Sequence, residues 1–367
     1  MAKPLFRAEI ESLTPYQPGI PVEDVQREFG LERVVKLASN EGPFPPFPAA
    51  LEAMEVVGLE LNRYPDGGAY RLHHALAARQ GVHPDEICVG SGADGCLDIL
   101  SQAALGPGDE VVCGWPSFPS YLIYAVKQGA TVTKVPLRDH RYDLEALAEA
   151  ISPRTKLVYV CLPNNPTGTA NTRDELDAFL DRVPDDVLPV VDQAYFEYVD
   201  DPEYPDVVAE HFRHGRRVVV LRTFSKIFGL AGLRVGYAVG PRDVCEAMAK
   251  VRRPFDVTTT AQAAALASLD DEEEVVLRRA RNSRGLAELA RILAAHGLEP
   301  IPGAVGNFVF VDVGSDAPRL FERLLEQGVI VRPLAGFGAS TAIRISVGTP
   351  DELEFLDAAL GRIGSPA

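Results

Sequence analysis

Short apolar runs that alternate with amphipathic segments are the feature of this sequence that most restricts its fold. The strand-like runs are 86–90, 110–114, 131–136, 157–162, 187–191, 218–224 and 235–239. Most of them are apolar throughout, which is typical of strands in a sheet that is covered on both faces. Helical patterns separate several of them, at 96–105, 121–128, 144–151 and 174–182. The alternation predicts an α/β fold with a mostly parallel, doubly wound sheet.

The pattern changes after Arg253 and Pro254. A long charged helix is predicted at 272–296, followed by a strand at 307–313, a helix at 318–327, two short strands and a final helix from Asp351. A chain of 367 residues with 46% hydrophobic content can form two cores. We therefore predict a large domain at 38–253 and a smaller α+β domain formed by 1–37 together with 254–367.

Charge and cysteine usage exclude several classes of function. The net charge of −16 disfavours binding to nucleic acid and to anionic membranes. The chain has no apolar run long enough to cross a membrane and no apolar signal core near its start. Its five cysteines lack the C-x-x-C spacing of metal or redox sites, so we predict buried free thiols, no metal and a reducing cytoplasm.

One lysine stands out chemically, in the run 223–237. Apolar neighbours partly desolvate Lys226, and desolvation favours the neutral amine, which can form a Schiff base with an aldehyde. Ser225 beside it and Arg234 further along offer a hydroxyl and a guanidinium for a phosphate. These residue types match pyridoxal 5'-phosphate, which carries both an aldehyde and a phosphate.

Polar side chains follow three of the predicted strands, and ligands of open parallel sheets bind beyond the carboxyl ends of strands. Asp192 is suited to hold a protonated pyridine nitrogen, which makes the ring a better electron acceptor. Asn165 and Tyr195 can donate hydrogen bonds to the phenolic oxygen of the same ring. Phe118, beyond a neighbouring strand, can stack on the ring face.

The segment 90–95 also matches the glycine pattern of dinucleotide-binding folds. That alternative requires an acidic residue at the end of the next strand, but Asp109 and Glu110 precede that strand. Backbone N–H groups at the start of a helix bind phosphate in either case. We therefore assign those of Ala93 and Asp94 to the phosphate of pyridoxal phosphate.

Nearly the whole chain resembles the histidinol-phosphate aminotransferases, which are fold-type I enzymes that depend on pyridoxal phosphate. The resemblance rests on the motifs at 13–19, 39–41, 63–66, 163–168, 191–195, 223–237, 307–310, 331–333 and 344–349. It implies a homodimer in which Tyr64 reaches the cofactor phosphate of the partner subunit. It also implies that Tyr16, Asn40, Arg332 and Arg344 hold the substrate.

The resemblance implies transamination of L-histidinol phosphate with 2-oxoglutarate, giving imidazole acetol phosphate and glutamate in histidine biosynthesis. Two arginines and a tyrosine hydroxyl suit a phosphate dianion. An aromatic amino-acid aminotransferase of the same subgroup is the main alternative, and a threonine-phosphate decarboxylase is a more distant one. Gln193 and Phe118 depart from the usual glutamate and tyrosine of the family, which leaves the substrate preference open between these enzymes.

Overall fold

A computed structural model describes residues 5–11, 13, 15 and 18–364. The strands are β1 (Val35–Lys36), β2 (Ile87–Gly90), β3 (Glu110–Trp115), β4 (Thr131–Pro136), β5 (Thr155–Cys161), β6 (Leu188–Asp192), β7 (Val219–Thr223), β8 (Gly236–Val239), β9 (Phe308–Asp312), β10 (Val329–Ile330), β11 (Arg332–Pro333) and β12 (Ala342–Ser346). The α-helices are α1 (Ala8–Glu11), α2 (Val22–Phe29), α3 (Pro48–Gly58), α4 (Tyr70–Gln80), α5 (Gly92–Ala104), α6 (Ser120–Lys127), α7 (Leu144–Glu149), α8 (Arg173–Leu180), α9 (Val207–Glu210), α10 (Arg242–Val251), α11 (Thr259–Ser268), α12 (Glu272–Ala295), α13 (Ala317–Glu326) and α14 (Pro350–Ile363).

The large sheet has seven strands in the order β2-β8-β7-β6-β5-β3-β4. Strand β8 is antiparallel to both of its neighbours, and the other pairs in the sheet are parallel. Every residue of β2, β7 and β8 is buried. Because successive side chains of a strand point to opposite faces, both faces of this part of the sheet are covered. The predicted α/β fold with a mostly parallel sheet is therefore confirmed.

The strand order reverses between β3 and β5. From β3 the chain adds β4 on one side, and it then returns to add β5, β6 and β7 on the other side. The carboxyl ends of the two strands that flank such a reversal leave a crevice, which is where doubly wound sheets bind ligands. The loops after β3, β5, β6 and β7 open toward this crevice.

Helix α5 begins earlier than the apolar pattern predicts. The pattern predicts a start at residue 96, whereas the helix starts at Gly92. Its first turn consists of small and polar residues with no apolar periodicity, so the pattern did not include it. Gly92 has a φ of +80°, a conformation that glycine adopts at little cost. The earlier start brings the N-terminal end of α5 to the carboxyl edge of the sheet.

A second body surrounds the three-stranded antiparallel sheet β11-β12-β9. Its core includes Leu289 and Ile292 of α12 and Leu356 of α14. Val35 and Leu37 from the N-terminal part of the chain pack into the same core, and β1 pairs with β10. Helix α11, in contrast, packs with the core of the large sheet. We propose that the boundary between the two domains lies after α11 and not at residue 253.

All five cysteines are buried and unpaired, as predicted. Within the described ranges, none of the helices combines the length and the hydropathy that crossing a lipid bilayer requires.

Candidate active site

A cavity of about 210 Å³ lies at the carboxyl edge of the large sheet, between that sheet and the smaller body. Among the residues that line it are Asn40, Ala93, Asp94, Phe118, Asn165, Asp192, Tyr195, Ser225, Lys226, Arg234, Arg332 and Arg344. The structure thus brings together site residues that lie in eight separate segments of the sequence.

Lys226 lies on the loop that follows β7 and forms part of the cavity wall. Its Nζ lies 3.5 Å from the carbonyl oxygen of Ser39 and 5.3 Å from the centre of the Tyr195 ring. Burial lowers the pKa of Lys226 from its usual value to about 7, and the nearby Arg344 guanidinium contributes to the decrease. A large fraction of this amine is therefore neutral near physiological pH, as a nucleophile or a base requires.

Asp192 is the last residue of β6 and is almost fully buried. Its carboxylate accepts hydrogen bonds from the hydroxyl of Tyr121 at 2.7 Å and from the backbone N–H of Ala194 at 3.0 Å. Burial raises the pKa of Asp192, and the two hydrogen bonds oppose the increase. A cationic N–H group placed against this carboxylate would stabilise its charged form.

Tyr121 was not predicted as a site residue. It lies in α6, where its buried position makes it look like an ordinary core aromatic residue in sequence. Its ring stacks on Tyr159 at 4.6 Å and meets the edge of Phe118 at 5.7 Å. Tyr121 therefore connects two predicted residues, because it packs against Phe118 and donates to Asp192.

The predicted phosphate-binding groups meet at the start of α5. Arg234 Nη1 lies 3.3 Å from Ser225 Oγ. A Cβ added to Gly92 would lie 2.8 Å from Arg234 Nη2, and a Cβ added to Gly236 would lie 2.5 Å from the backbone nitrogen of Ala93. Only glycine permits such close approach at these two positions. The hydroxyl, the guanidinium and the first N–H groups of the helix can therefore surround one anion.

A second residue missed in the sequence supports this candidate phosphate cradle, formed by Ser225, Arg234 and the start of α5, from outside. The buried carboxylate of Asp256 accepts the backbone N–H of Ser91 at 3.1 Å and pairs with Arg253. Asp256 lies far from Ser91 in sequence and in a segment rich in turn residues, so no local pattern indicates its contact with Ser91. Inside the cradle, Asp94 accepts a hydrogen bond from the Tyr124 hydroxyl at 2.6 Å.

The segment at Asn40 forms another part of the cavity wall. Asn40 is buried with a φ of +53°, and its side-chain nitrogen donates to the Tyr195 hydroxyl at 2.9 Å. Its backbone N–H donates to Ser346 Oγ at 2.8 Å. These bonds hold the Tyr195 hydroxyl in the cavity through a residue anchored to β12 of the smaller body.

Two arginines lie side by side at the smaller body's edge of the cavity. Arg332 of β11 and Arg344 of β12 are direct cross-strand partners. Each guanidinium carbon lies within 5.4 Å of the centre of the Phe337 ring. Arg344 is buried, donates to the carbonyl of Ala38 at 2.7 Å and pairs with the side-chain oxygen of Asn165. The pairing leaves the side-chain NH₂ of Asn165 as its donor toward a ligand.

Three residues singled out in the sequence do not line the cavity in the described part of the chain. Tyr64 does not line the cavity: its side chain is 81% exposed and stacks on Phe255 at 4.6 Å, so its role in a partner subunit stays a prediction. Tyr16 lies outside the described residues. Gln193 is fully buried and bonds to Arg222 and Tyr204, so its side chain does not reach the cavity.

Comparisons with known proteins identify the family of this chain. A model of the family "Aminotransferase class I and II" matches residues 32–360. The histidinol-phosphate aminotransferase of Moorella thermoacetica is 45% identical over 98% of this chain and 93% of its own length. That of Anaeromyxobacter is 46% identical over 98% of this chain and 99% of its own length.

Solved structures give the same result for the fold. The histidinol-phosphate aminotransferase of Sinorhizobium meliloti, in complex with pyridoxal-5'-phosphate, has a TM-score of 0.89 and 31% identity, covering 99% of this chain and 98% of that one. The aspartate aminotransferase of Thermus thermophilus with maleate has a TM-score of 0.83 and 29% identity, covering 98% and 99%. This chain belongs to the class I and II aminotransferase family.

Proposed function

We propose that this protein is a histidinol-phosphate transaminase, which moves the amino group of L-histidinol phosphate to 2-oxoglutarate and gives imidazole acetol phosphate and glutamate. The choice of a phosphate-bearing substrate rests on Arg332 and Arg344, which lie in register on neighbouring strands at one edge of the cavity. The two relatives from Moorella and Anaeromyxobacter, which match over nearly their full length, are both named histidinol-phosphate aminotransferase.

The donor set fits pyridoxal 5'-phosphate. Lys226 offers an amine with a pKa of about 7, and Arg234 with Ser225 forms a cradle beside the helix start at Ala93. Asp192 offers a buried carboxylate whose raised pKa a ring N–H would bring down. When bound, pyridoxal phosphate supplies the aldehyde that carries the amino group and a ring that withdraws electrons.

The chain's own residues then have distinct tasks. Lys226 Nζ moves the proton at the substrate carbon that bears the amine, which a group with a pKa near 7 does efficiently. Asp192, oriented by Tyr121, would hold the ring nitrogen of the bound cofactor. Tyr195, held by Asn40, and the NH₂ of Asn165 would donate to its phenolic oxygen. Phe118, which lines the cavity, would cover one face of the ring.

The arginine pair supports a phosphate-bearing substrate. Like charges directly opposite each other on neighbouring strands are destabilising, and a dianion between them removes the repulsion. Histidinol phosphate has no carboxylate beside its amine, so its phosphate is the group that Arg332 and Arg344 would bind. The carboxylates of 2-oxoglutarate and glutamate suit the same two arginines in the other half of the reaction.

We propose a homodimer with shared active sites as the active form. Tyr64 is 81% exposed and lies close in sequence to Leu59 and Leu61, which are 91% and 57% exposed. Apolar side chains clustered on a surface are typical of a protein interface. We also propose a cytoplasmic location, which suits five unpaired thiols.

A parallel assay of L-histidinol phosphate and phenylalanine with 2-oxoglutarate tests the substrate. We expect a higher kcat/KM for histidinol phosphate, since specificity is the ratio of these values. Arg332→Ala should raise KM for histidinol phosphate at least about tenfold, which equals about 1.4 kcal/mol, because a charge-assisted bond to the phosphate is lost. The effect on phenylalanine should be smaller, since its side chain carries no anion.

Arg319→Ala is the matched control, because Arg319 is an exposed arginine of α13 outside the cavity. It should leave both KM values within about twofold. A wild-type protein that strongly prefers phenylalanine or tyrosine would instead be an aromatic amino-acid aminotransferase. Release of carbon dioxide from threonine phosphate would indicate the decarboxylase.

A further inference from the structure

A second cleft, separate from the active site, lies behind the main chain that carries Lys226. It has a volume of about 620 Å³. The large body contributes Gly42, Pro43, Phe44, Tyr198 and Ile227 to its wall, whereas the smaller body contributes Val347, Gly348, Pro350 and Leu353. The remaining wall is one face of α12, which carries three arginines and one carboxylate, that of Glu288, which is paired with Arg291. We call this space the interdomain cleft.

Helix α12 crosses from one hydrophobic core to the other at the interdomain cleft. Val275 near its start belongs to the core of the large sheet, and Leu289 near its end belongs to the core of the smaller body. Arg278, Arg281 and Gly285 face the cleft between them, at the helical spacing of three and four residues. A Cβ added to Gly285 would lie 2.4 Å from Val347, so the glycine permits this close crossing.

The arginines of the cleft differ in how their charges are neutralised. Arg278 is buried, pairs with Glu274 and donates to the carbonyls of Ile227 and Pro45. Arg281 lies 5.1 Å from the Phe44 ring centre. Within the described ranges, neither Arg281 nor Arg284 forms an ion pair, although acidic residues outnumber basic ones by 52 to 36.

Two further features of the interdomain cleft indicate what kind of molecule it would bind. Phe44 and Leu353 give the interdomain cleft an apolar wall, and the arginines are at one side of it on α12. Asn282 borders the cleft as well; it is 4% exposed, and its side-chain oxygen has no hydrogen-bond donor among the described residues. A cationic side, an apolar wall and an unsatisfied acceptor together match an organic anion that also carries a hydroxyl or amine.

We propose that the interdomain cleft binds a small organic anion, with its carboxylate at Arg281 and Arg284 and its apolar body against Phe44. This site is distinct from the active site, since the two cavities share no lining residue. It adjoins Ile227, whose carbonyl is fixed by Arg278 and which follows Lys226 directly. The inference does not depend on which amine the enzyme transaminates.

The test is a ¹⁹F NMR titration of the cofactor-loaded protein with 3-fluoro-4-hydroxybenzoate, which has a carboxylate, an apolar ring and a hydroxyl. Because the active-site arginines can also hold a carboxylate, the titration is repeated with Arg332→Ala. We expect two binding sites in the wild type. Arg332→Ala should weaken one of them, and Arg284→Glu should weaken the other at least about tenfold, or about 1.4 kcal/mol.

The controls separate specific binding from general electrostatics. Arg319→Glu makes the same charge change on α13 and should leave both sites within about twofold. Arg284→Gln, which removes the charge without reversing it, should weaken the same site as Arg284→Glu. 2-Fluorophenol, which lacks the carboxylate, should bind far more weakly.

Three results would each overturn the proposal. The first is complete loss of binding in Arg332→Ala, which would assign all of it to the active site. The second is unchanged binding in both Arg284 variants. The third is 2-fluorophenol binding as tightly as the carboxylate. None of these results bears on transamination, which is measured separately.

Discussion

The reactivity of Lys226 toward an amine reagent should level off near neutral pH. With a pKa of about 7, the neutral fraction of its amine is about one tenth at pH 6, one half at pH 7 and nine tenths at pH 8. The rate should therefore rise about tenfold from pH 6 to pH 8 and change little above that. An ordinary lysine, with a pKa near 10.4, would gain about a hundredfold over the same interval and continue to rise.

The assay uses the cofactor-free protein and 2,4-dinitrofluorobenzene at constant ionic strength, with mass spectrometry of the peptide that contains Lys226. The exposed Lys250 serves as an internal reference for the reagent. Arg344→Gln should move the midpoint to higher pH, because the neighbouring cation contributes to the lowered pKa of Lys226. A rate at Lys226 that increases tenfold with every pH unit up to pH 9 would refute the reasoning.

Two further predictions concern the proposed catalytic unit. Asp192→Asn should fold and bind the cofactor but lower kcat by about 10² or more, because the amide carries no charge to stabilise a protonated ring nitrogen; an unchanged kcat would assign that task to another residue. Lys226→Ala should lose the visible absorbance of the bound cofactor and nearly all turnover, and Tyr64→Phe should be impaired as well. Mixing these two variants should restore activity in hybrid dimers, which contain one intact shared site, and a failure to recover any activity after subunit exchange would contradict shared sites.

The large sheet could be predicted closely because its strands are defined by local composition. Strands β3 and β4 begin at the predicted residues, and β4 also ends there. Asp192, Asn165 and Lys226 could be assigned to one place for a related reason. Each lies at or just beyond the carboxyl end of a parallel strand of the same sheet, so topology alone brings the three residues to the same edge.

The contacts that complete the site depend on tertiary packing, which no local pattern contains. Tyr121 reads as a core aromatic residue of a helix, and only the fold brings its hydroxyl within 2.7 Å of Asp192. Asp256 supports Ser91 from a turn far away in sequence. Helix α11 lies beyond the predicted boundary at residue 253, yet its alanines pack on the core of the large sheet. Small apolar residues fit either core, so composition did not distinguish them.

Arg332 and Arg344, the two arginines proposed to bind the substrate, are not equivalent, and the difference decides at which of them a substitution tests substrate binding alone. Arg344 is buried, its guanidinium is bonded to Ala38 and Asn165, and it lowers the pKa of Lys226. Its removal would change two walls of the cavity and the charge state of the lysine together. Arg332 is half-buried, and its guanidinium lies near the Phe337 ring at the edge of the cavity. We therefore expect a change in KM for Arg332→Ala to report contact with the substrate's anion while leaving Lys226 little disturbed, whereas a substitution of Arg344 would change substrate contact and the pKa of Lys226 together.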